Sequence, residues 1–299
     1  MRYLVTGALG AVGAWTVRSL MRRGHDVVAY DLGRSDHRLR LALDDAELAA
    51  LIRVNGDVTD LEQLERAIDE HGVTNVIHLA ALQVPFVRAD PVAGAQVNVT
   101  GTVNVFEAVR RRGEPMGPVV YASSIAALAE PGAHPSTLYG VFKRANEGAG
   151  VRYFEDYGTS SVGLRPHTVY GPGRDQGLTS APTAAMTAAA EGREYHIPFG
   201  GSAQLQYIAD AGEAFVRASE ARREGASVHN LDGPVVTMQE VIAAIERAAP
   251  AARGLVTAGL EPLPFPPSVD ASSFVELVGG PVSRPLADGV AETLAMFGA

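Results

Sequence analysis

Residues 4–15 read LVTGALGAVGAW and place Gly7, Gly10 and Gly13 between an apolar run and a helical pattern. Glycine supplies the backbone freedom of a tight turn and lets a pyrophosphate approach backbone N–H groups at a helix N-terminus. The chain has 32 glycines, so an ordinary glycine-rich turn is the alternative. The apolar run before the turn and the helix after it favour a dinucleotide-binding turn at the start of an α/β fold.

The alternation of elements around and after this turn predicts a parallel sheet. Strand-like runs occupy residues 3–6, 27–31, 51–55, 76–80, 119–123 and 161–165, and helical patterns occupy residues 11–23, 61–71, 92–112 and 139–157. Strand–helix–strand repeats at this spacing indicate right-handed βαβ units, and short apolar strands without alternation indicate helices on both faces. We therefore predict an α/β fold with a Rossmann-like, doubly wound parallel sheet.

The second half of the chain has a different texture and predicts a smaller unit. It contains helical patterns at residues 181–191, 210–220, 237–249 and 287–297, a strand at 228–231 and a proline-rich loop at 261–270. We predict an NAD-binding domain at residues 1–167, to which residues from about 203 to 232 return. Residues from about 168 to 202 and 233–299 then form a small, interleaved C-terminal substrate-binding domain over the strand ends, where such sheets bind ligands.

Composition excludes several classes of function. The net charge of −9 argues against nucleic acid as a partner, and no apolar run approaches the roughly 18 residues of a membrane span. The absence of cysteine excludes disulfides and thiol catalysis, and it fits a cytoplasmic protein. The strand-like run directly after Met1 predicts that there is no signal peptide. The eight histidines show no metal-ligand spacing, so no metal site is predicted.

Asp31 ends the second strand-like run, 18 residues after Gly13. A carboxylate at this place accepts hydrogen bonds from the adenosine ribose hydroxyls and repels a 2′-phosphate, which favours NAD over NADP. A nearby arginine can accommodate that phosphate, so Arg34 keeps NADP open. Taken alone, Asp31 also fits an ordinary solvated turn residue.

Lys143 is the only lysine in a chain with 25 basic residues, and it stands four positions after Tyr139. In a helix this spacing puts both side chains on one face. A free tyrosine has a pKa of about 10, and a cation within about 4–6 Å lowers it, so the pair can work as an acid–base device at neutral pH. Chance spacing is the alternative. However, a chain that otherwise uses arginine is expected to keep one lysine where a compact ammonium is needed, because a planar guanidinium does not replace it.

Seven segments, in order and in register, resemble the extended short-chain dehydrogenase/reductase group, specifically the NAD-dependent epimerase/dehydratase family. They are TGALGAVG (6–13), GDVTD (56–60), HLAA (78–81), NVTGT (98–102), YASS (121–124), YGVFK (139–143) and RPHTVYGPG (165–173). The resemblance covers about residues 1–175 and continues more weakly to the C-terminus.

The resemblance implies an NAD-dependent oxidoreductase and assigns roles to matched positions. The catalytic residues are Ser124, Tyr139 and Lys143, with Ser124 holding the substrate oxygen. The cofactor-binding residues are Gly7, Gly10, Ala11, Val12, Gly13, Asp31, Asp57, Val58, Leu79, Ala80, Ala81, Asn98, Tyr139, Lys143, Pro166 and His167. The substrate-binding residues are Gln83, Ser124, Ile125, Thr168 and Arg174. In this family the helices at 92–112 and 139–157 pair between subunits, which implies a homodimer.

Two positions depart from relatives that act on nucleotide-linked sugars. Those enzymes usually carry an asparagine where this chain has Thr168, and an arginine, seven residues before Asp210, where it has Ala203. Both usual residues contact the diphosphate. Their absence predicts a smaller polyhydroxylated substrate, such as a free sugar or sugar acid, with Arg174 and His134 as further polar candidates.

Three functions are compatible with these residues. The first hypothesis is an NAD-dependent dehydrogenase of a secondary alcohol, because a sugar without a diphosphate anchor would leave as the keto product. The alternative is a sugar or nucleotide-sugar epimerase or dehydratase that keeps its cofactor tightly bound. A non-catalytic NAD-binding regulator is the third, and Ser124, Tyr139 and Lys143 argue against it.

Overall fold

The computed structural model describes residues 1–113, 116–129, 133–221 and 223–298. The chain divides into two compact units. The first contains Met1–Pro166 and Gly212–His229, and the second contains His167–Ala211 and the residues from Asn230 onward. The chain therefore returns to the first unit at Gly212, against about residue 203 expected from the sequence. The division of roles between an NAD-binding and a substrate-binding unit stays a prediction.

The first unit is built on a seven-stranded sheet. Its strands are β1 (Arg2–Thr6), β2 (Asp26–Asp31), β3 (Ile52–Asn55), β4 (Asn75–His78), β5 (Val119–Ala122), β6 (Ser161–Arg165) and, from later in the chain, β10 (Ala226–Asn230). The order is β10-β6-β5-β4-β1-β2-β3, and the pairings from β6 to β3 are parallel. The order reverses between β1 and β4, which is where doubly wound sheets bind ligands. The predicted Rossmann-like fold is confirmed.

Helices cover this sheet. They are α1 (Ala11–Arg22), α2 (His37–Ala42), α3 (Asp45–Ala50), α4 (Leu61–Glu70), α5 (Val84–Ala89), α6 (Pro91–Ala95), α7 (Gly101–Arg111), α8 (Leu138–Tyr157) and α10 (Ile208–Glu220). Apolar residues of β1, β2, β4 and β5 pack with α4 and α7 in one buried core. Helix starts follow local capping chemistry: the Asp60 carboxylate accepts from the Gln63 N–H ahead of α4.

The helix predicted at residues 92–112 is not one regular α-helix. A π-helical segment, Gln96–Thr100, lies between α6 and α7. The sequence patterns also missed α2, α3 and α5, because each has only six residues and offers too few turns for a periodic pattern. A helix long and apolar enough to cross a membrane does not occur among the described residues.

The second unit contains two small sheets. β7 (Thr168–Tyr170) runs parallel to β9 (Ser202–Tyr207), which pairs antiparallel with β11 (Val235–Thr237), and β8 (Tyr195–Ile197) pairs with β12 (Val256–Ala258). Its helices are α9 (Ala181–Ala190), α11 (Met238–Ala248), α12 (Ser272–Val278) and α13 (Leu286–Met296). The sequence did not predict β9, because it contains Gln204 and Gln206. Glutamine is usually an exposed residue, but both side chains are buried here.

Helix α8 leaves several apolar side chains exposed. Val141 and Val151 are about two-fifths exposed (40% and 39%), and Tyr157 near its end is 59% exposed. Such residues fit a surface that another chain covers. The homodimer expected through this helix and the segment around α7 stays a prediction.

Candidate active site

The glycine turn packs too closely for side chains. Gly7 adopts φ +70°, and a Cβ there would lie 2.6 Å from the Ala80 nitrogen. A Cβ on Gly13 would lie 2.0 Å from the Gly7 carbonyl oxygen. The Gly10 N–H donates to that same carbonyl at 2.9 Å, and α1 begins at the next residue, Ala11. Gly7 and Gly13 are therefore required by the geometry of the turn, whereas a Cβ on Gly10 would lie 3.0 Å from the Gly7 carbonyl oxygen.

This turn is suited to an anion. It leads into the N-terminus of α1, and within that helix, which the structure describes in full, the first turn of residues 11–14 carries no acidic side chain. Unpaired N–H groups and the helix dipole favour negative charge at such a place. Ala11 and Val12, predicted to bind the cofactor, are the first two residues of α1. These features fit the pyrophosphate of a dinucleotide.

Asp31 is held rigidly beside the turn. Its Oδ2 accepts from the Leu9 N–H at 2.9 Å, and its Oδ1 accepts from the Gly33 N–H at 2.8 Å. A cavity of about 350 Å³ adjoins the carboxylate, and Arg34 and Arg53 also line it. Asp36 pairs with Arg53 at 3.0 Å and also with Arg40 at 3.1 Å, so Arg34 and Arg53 are both cations beside the cavity that could meet a 2′-phosphate.

Asp31→Asn is expected to weaken NADH binding by roughly 10- to 100-fold, since hydrogen bonds to a charged acceptor contribute about 1.5–3 kcal/mol. NADPH should lose much less affinity or gain some, because the repulsion of its 2′-phosphate is removed while Arg34 remains. Fluorescence titration with both reduced cofactors measures the two dissociation constants. An equal loss for NADH and NADPH would show that Asp31 only supports the turn.

The other predicted cofactor residues of the first unit lie at the carboxyl end of the sheet. Asp57 and Val58 follow β3, and the Asp57 carbonyl accepts from the Tyr30 hydroxyl at 2.9 Å. Residues 79–81 follow β4, where the Leu79 N–H donates to the Thr6 carbonyl at 3.0 Å, next to the glycine turn. The structure thus brings these segments to one edge, although cofactor contact by each residue stays a prediction.

Asn98 braces this edge from the π-helical segment. Its Oδ1 accepts from the Leu82 N–H at 2.7 Å, and its Nδ2 donates to the Leu82 carbonyl at 2.9 Å. The π segment leaves the Asn98 carbonyl to accept from Asn146 Nδ2 (2.7 Å) and Thr102 Oγ1 (2.8 Å). Such π segments often occur at functional sites. The Asn98 side chain therefore fixes the chain that leads to Gln83, a predicted substrate residue.

His78 is a buried structural residue at the centre of the sheet. Its Nδ1 contacts Thr6 Oγ1 at 2.7 Å, and its Nε2 contacts Thr102 Oγ1 at 3.1 Å. Burial, followed by the positive charge of Lys143, lowers the pKa of His78 to about 3. The ring is therefore neutral at physiological pH and fastens β4 to β1 and α7.

The three predicted catalytic residues come from β5 and α8. Ser124 follows β5 and begins the short 3-10 turn Ile125–Ala127, where its Oγ accepts from the Ala126 N–H at 3.1 Å. Tyr139 is half-buried in the first turn of α8. The Lys143 Nζ lies 5.6 Å from the Tyr139 ring centroid, so both side chains share one face of the helix.

Lys143 is almost completely buried, with 3% of the residue exposed. Its Nζ donates to the carbonyl oxygen of Ala122, the last residue of β5, at 2.6 Å. Burial lowers the pKa of Lys143 to about 8, although the negative charge of Glu147 opposes this shift. Its ammonium form therefore prevails at neutral pH and is lost in the mildly alkaline range.

Gly140, between Tyr139 and Lys143, allows α8 to reach the turn that carries Ser124. A Cβ on Gly140 would lie 2.0 Å from the Ala126 carbonyl oxygen and 2.9 Å from Pro135 Cβ. The sequence reasoning gave Gly140 no role. Its position inside a predicted helix could have indicated this role, because glycine destabilises a helix and is expected there only where close packing requires it.

The remaining predicted residues are Ile125, which directly follows Ser124, and three residues of the second unit. Ile125 is 3% exposed, and its N–H donates to the Pro166 carbonyl at 3.0 Å. His167, Thr168 and Arg174 belong to the second unit. There His167 Nε2 contacts the Pro266 carbonyl at 2.7 Å, and Arg174 Nη2 donates to Thr179 at 2.9 Å. Their cofactor and substrate roles stay predictions.

His134, the further polar candidate, is exposed in the loop before α8. In the parts of the chain that the structure describes, His, Asp and Glu residues do not gather into a group of three that could hold a metal.

Comparisons with known proteins agree with the family resemblance seen in the sequence. The family model for the NAD dependent epimerase/dehydratase family matches residues 3–232. UDP-glucuronate 4-epimerase 2 of Arabidopsis thaliana is 34% identical over 185 residues, which cover 56% of this chain. The chain spans only 42% of the length of that curated relative. The UDP-glucose 4-epimerase of Mycolicibacterium smegmatis is 31% identical over 99% of this chain and 98% of its own length.

Solved structures share the whole architecture. The UDP-glucose 4-epimerase of Thermus thermophilus, solved in complex with NAD, is 26% identical with a TM-score of 0.83 and full coverage of both chains (100%). The UDP-glucose 4-epimerase of Thermotoga maritima has a TM-score of 0.84 at 22% identity over 99% of this chain and 98% of its own, which shows the shared fold. The resemblance read from the sequence is confirmed, and the chain belongs to the NAD-dependent epimerase/dehydratase family.

Proposed function

We propose that this protein is an NAD-dependent epimerase that inverts a secondary alcohol carbon of a nucleotide-linked sugar. The observation that carries the proposal is the full-length match to a UDP-glucose 4-epimerase, at 31% identity over nearly all of both chains. The first hypothesis from the sequence, net dehydrogenation of a free sugar, has less support from the relatives than its alternative, epimerisation.

The site has the parts that a bound dinucleotide needs. The cradle around Gly7 and Gly13 admits no side chain, α1 offers its N-terminus, and the Asp31 carboxylate is fixed beside a cavity. When bound, NAD supplies a hydride acceptor and donor. Asp31 is suited to the adenosine ribose, and Lys143 to the nicotinamide ribose through its ammonium donors.

The acid–base work falls to Tyr139. Its phenolate oxygen takes the proton from a substrate hydroxyl as a general base, and the resulting phenol returns that proton later as a general acid. The nearby ammonium of Lys143 favours the phenolate over the phenol. Ser124, fixed by its bond from the Ala126 N–H, orients the substrate oxygen. These three side chains perform the same proton transfer in an epimerase and in a dehydrogenase.

A specific observation favours a second candidate, a dehydrogenase of a smaller polyhydroxylated substrate. Thr168 and Ala203, which stand where the resemblance leads us to expect an asparagine and an arginine, are 0% and 1% exposed. Both side chains are neutral and buried, so neither position offers a cation to a diphosphate. A keto intermediate that is not held by a diphosphate would then leave the protein.

One experiment separates the two candidates. The purified protein is incubated with NAD⁺ and, separately, UDP-glucose, UDP-glucuronate, free sugars and sugar acids. NMR follows the sugar stereochemistry, and absorbance follows NADH. We expect the C4 epimer of a nucleotide-linked sugar to appear without net NADH. Stoichiometric NADH with a free sugar or sugar acid, and no epimer from any nucleotide sugar, would replace the proposal with the dehydrogenase.

A further inference from the structure

Helix α8 carries a third polar residue on the face of Tyr139 and Lys143. Glu147 follows Lys143 by four residues, as Lys143 follows Tyr139, so the three side chains form one stripe along the helix. Its side chain is largely buried, with 9% of the residue exposed. The proton transfer described above makes no use of this carboxylate, and buried carboxylates are rare unless they are paired.

Glu147 is paired on both of its oxygens. Arg165, the last residue of β6, donates from Nε to Oε1 at 2.7 Å and from Nη2 to Oε2 at 2.6 Å. Ser123, directly after β5, donates its hydroxyl to Oε1. A bidentate arginine–carboxylate pair with low exposure holds its partners in one geometry. One side chain of α8 thus ties together the carboxyl ends of two neighbouring strands.

These ties enclose the segment that carries Ser124. On one side, Lys143 binds the carbonyl of Ala122 and Glu147 binds the hydroxyl of Ser123. On the other side, the Ile125 N–H donates to the carbonyl of Pro166, the residue after Arg165. Loss of the Glu147 carboxylate would release this segment from α8 at the residue next to Ser124.

The charges around Lys143 give the carboxylate a second effect. The titratable and charged groups facing the pair Lys143–Glu147 are Tyr139 on α8, His78 on β4, Tyr121 on β5 and Arg165 on β6. Burial keeps His78 neutral and raises the pKa of Tyr121, so neither carries charge at neutral pH. Glu147 therefore opposes two cations, the buried Lys143 and the partly buried Arg165, with one negative charge.

We propose that Glu147, held by Arg165, is a positioning residue that keeps the Ser124 segment in place and the Lys143 side chain charged. The proposal rests on the proposed function, because it assigns Lys143 to the nicotinamide ribose and Ser124 to the substrate. Glu147 itself touches neither substrate nor cofactor. It acts through the residues that do.

The test measures NADH affinity against pH and needs no turnover. An ammonium on Lys143 holds the ribose, so NADH binding should weaken as the pH rises through the pKa of Lys143, about 8 in the free protein. Glu147→Gln removes the charge that supports the ammonium and lowers that pKa further. We expect the midpoint of this weakening to move to lower pH by roughly one unit, the size typical of a nearby opposite charge.

Two further variants make the result specific. Glu107→Gln is the matched control, because Glu107, which is partly buried on α7, also bridges two arginines, Arg110 and Arg111, whereas the carboxylate that acts on Lys143 is that of Glu147. Its midpoint should equal that of the wild type. The double variant Glu147→Gln with Arg165→Met removes both charges of the buried pair, and its midpoint should move back toward the wild type.

Two results would overturn the proposal. One is an unchanged midpoint in Glu147→Gln. The other is an NADH affinity that falls equally at every pH, because a uniform loss would indicate that the variant merely loosens the fold around the site. Circular dichroism at each pH shows that the folded variant is being measured. Failure of the proposed function is distinguishable, since a wrong substrate leaves the NADH titration intact.

Discussion

Tyr139→Phe is expected to lower turnover of the nucleotide sugar by roughly 10²–10⁴-fold, the usual contribution of a positioned acid–base group. The change removes one hydroxyl and keeps the ring whose centroid lies 5.6 Å from the Lys143 Nζ. NADH affinity and the melting temperature should stay close to wild type, because Tyr139 is only half-buried and the glycine turn is untouched. Steady-state epimerisation, NADH titration and thermal unfolding measure the three quantities.

Tyr157→Phe is the matched control for this prediction. Tyr157 ends the same helix, is 59% exposed, and its ring is covered by Arg110 at 4.9 Å. Losing its hydroxyl should leave turnover within about twofold, as is usual for a surface change without a site contact. Full activity in Tyr139→Phe would remove the tyrosine from the mechanism and leave a site that only binds NAD.

The glycine turn and the Tyr139–Lys143 pair could be predicted because each depends on neighbours within a few residues. Gly7 and Gly13 meet across one turn, and Tyr139 and Lys143 meet across one turn of helix. Asp31 was also predictable, since β2 runs parallel to β1 and therefore ends at the edge of the sheet where the glycine turn follows β1. The structure adds the bonds from Leu9 and Gly33 that fix its carboxylate.

The contacts that support the catalytic residues join positions far apart in the sequence, and local sequence patterns do not predict such contacts. Glu147 lies four residues from Lys143, but its partner Arg165 comes from β6 and its partner Ser123 from the end of β5. The π-helical segment around Asn98 has no period that distinguishes it from α-helix in the sequence. These contacts follow from the order of strands in the sheet, which is a property of the whole fold.

The second unit was the least predictable part, for a physical reason. Its strands β7, β8, β11 and β12 have only three residues each, too few to show alternation. The contact of Asp210 could not be predicted either. The sequence offered Asp210 only as a reference position for the arginine that Ala203 replaces. In the structure its partner is the distant Arg284, whose Nη2 lies 2.7 Å from the Asp210 Oδ1.

Gly140→Ala is expected to lower stability by about 1–3 kcal/mol, the range for an added methyl group in a packed place. The new Cβ would stand 2.0 Å from the Ala126 carbonyl oxygen, which is backbone and cannot turn aside. Either α8 or the Ser124 turn must move, so Tyr139 and Ser124 lose their alignment. A displacement of about 1 Å in such a site costs roughly 10²-fold in turnover.

Gly148→Ala tests the same substitution two turns further along α8. A Cβ there meets no described atom within 4 Å, and the residue has ordinary helical backbone. Alanine should therefore stabilise the protein by about 0.5–1 kcal/mol through its higher helix propensity and leave turnover unchanged. Thermal unfolding and epimerisation rates of the two variants, compared side by side, separate close packing at Gly140 from a general sensitivity of the helix. Equal effects at both positions would contradict the proposal that Gly140 sets the approach of α8 to Ser124.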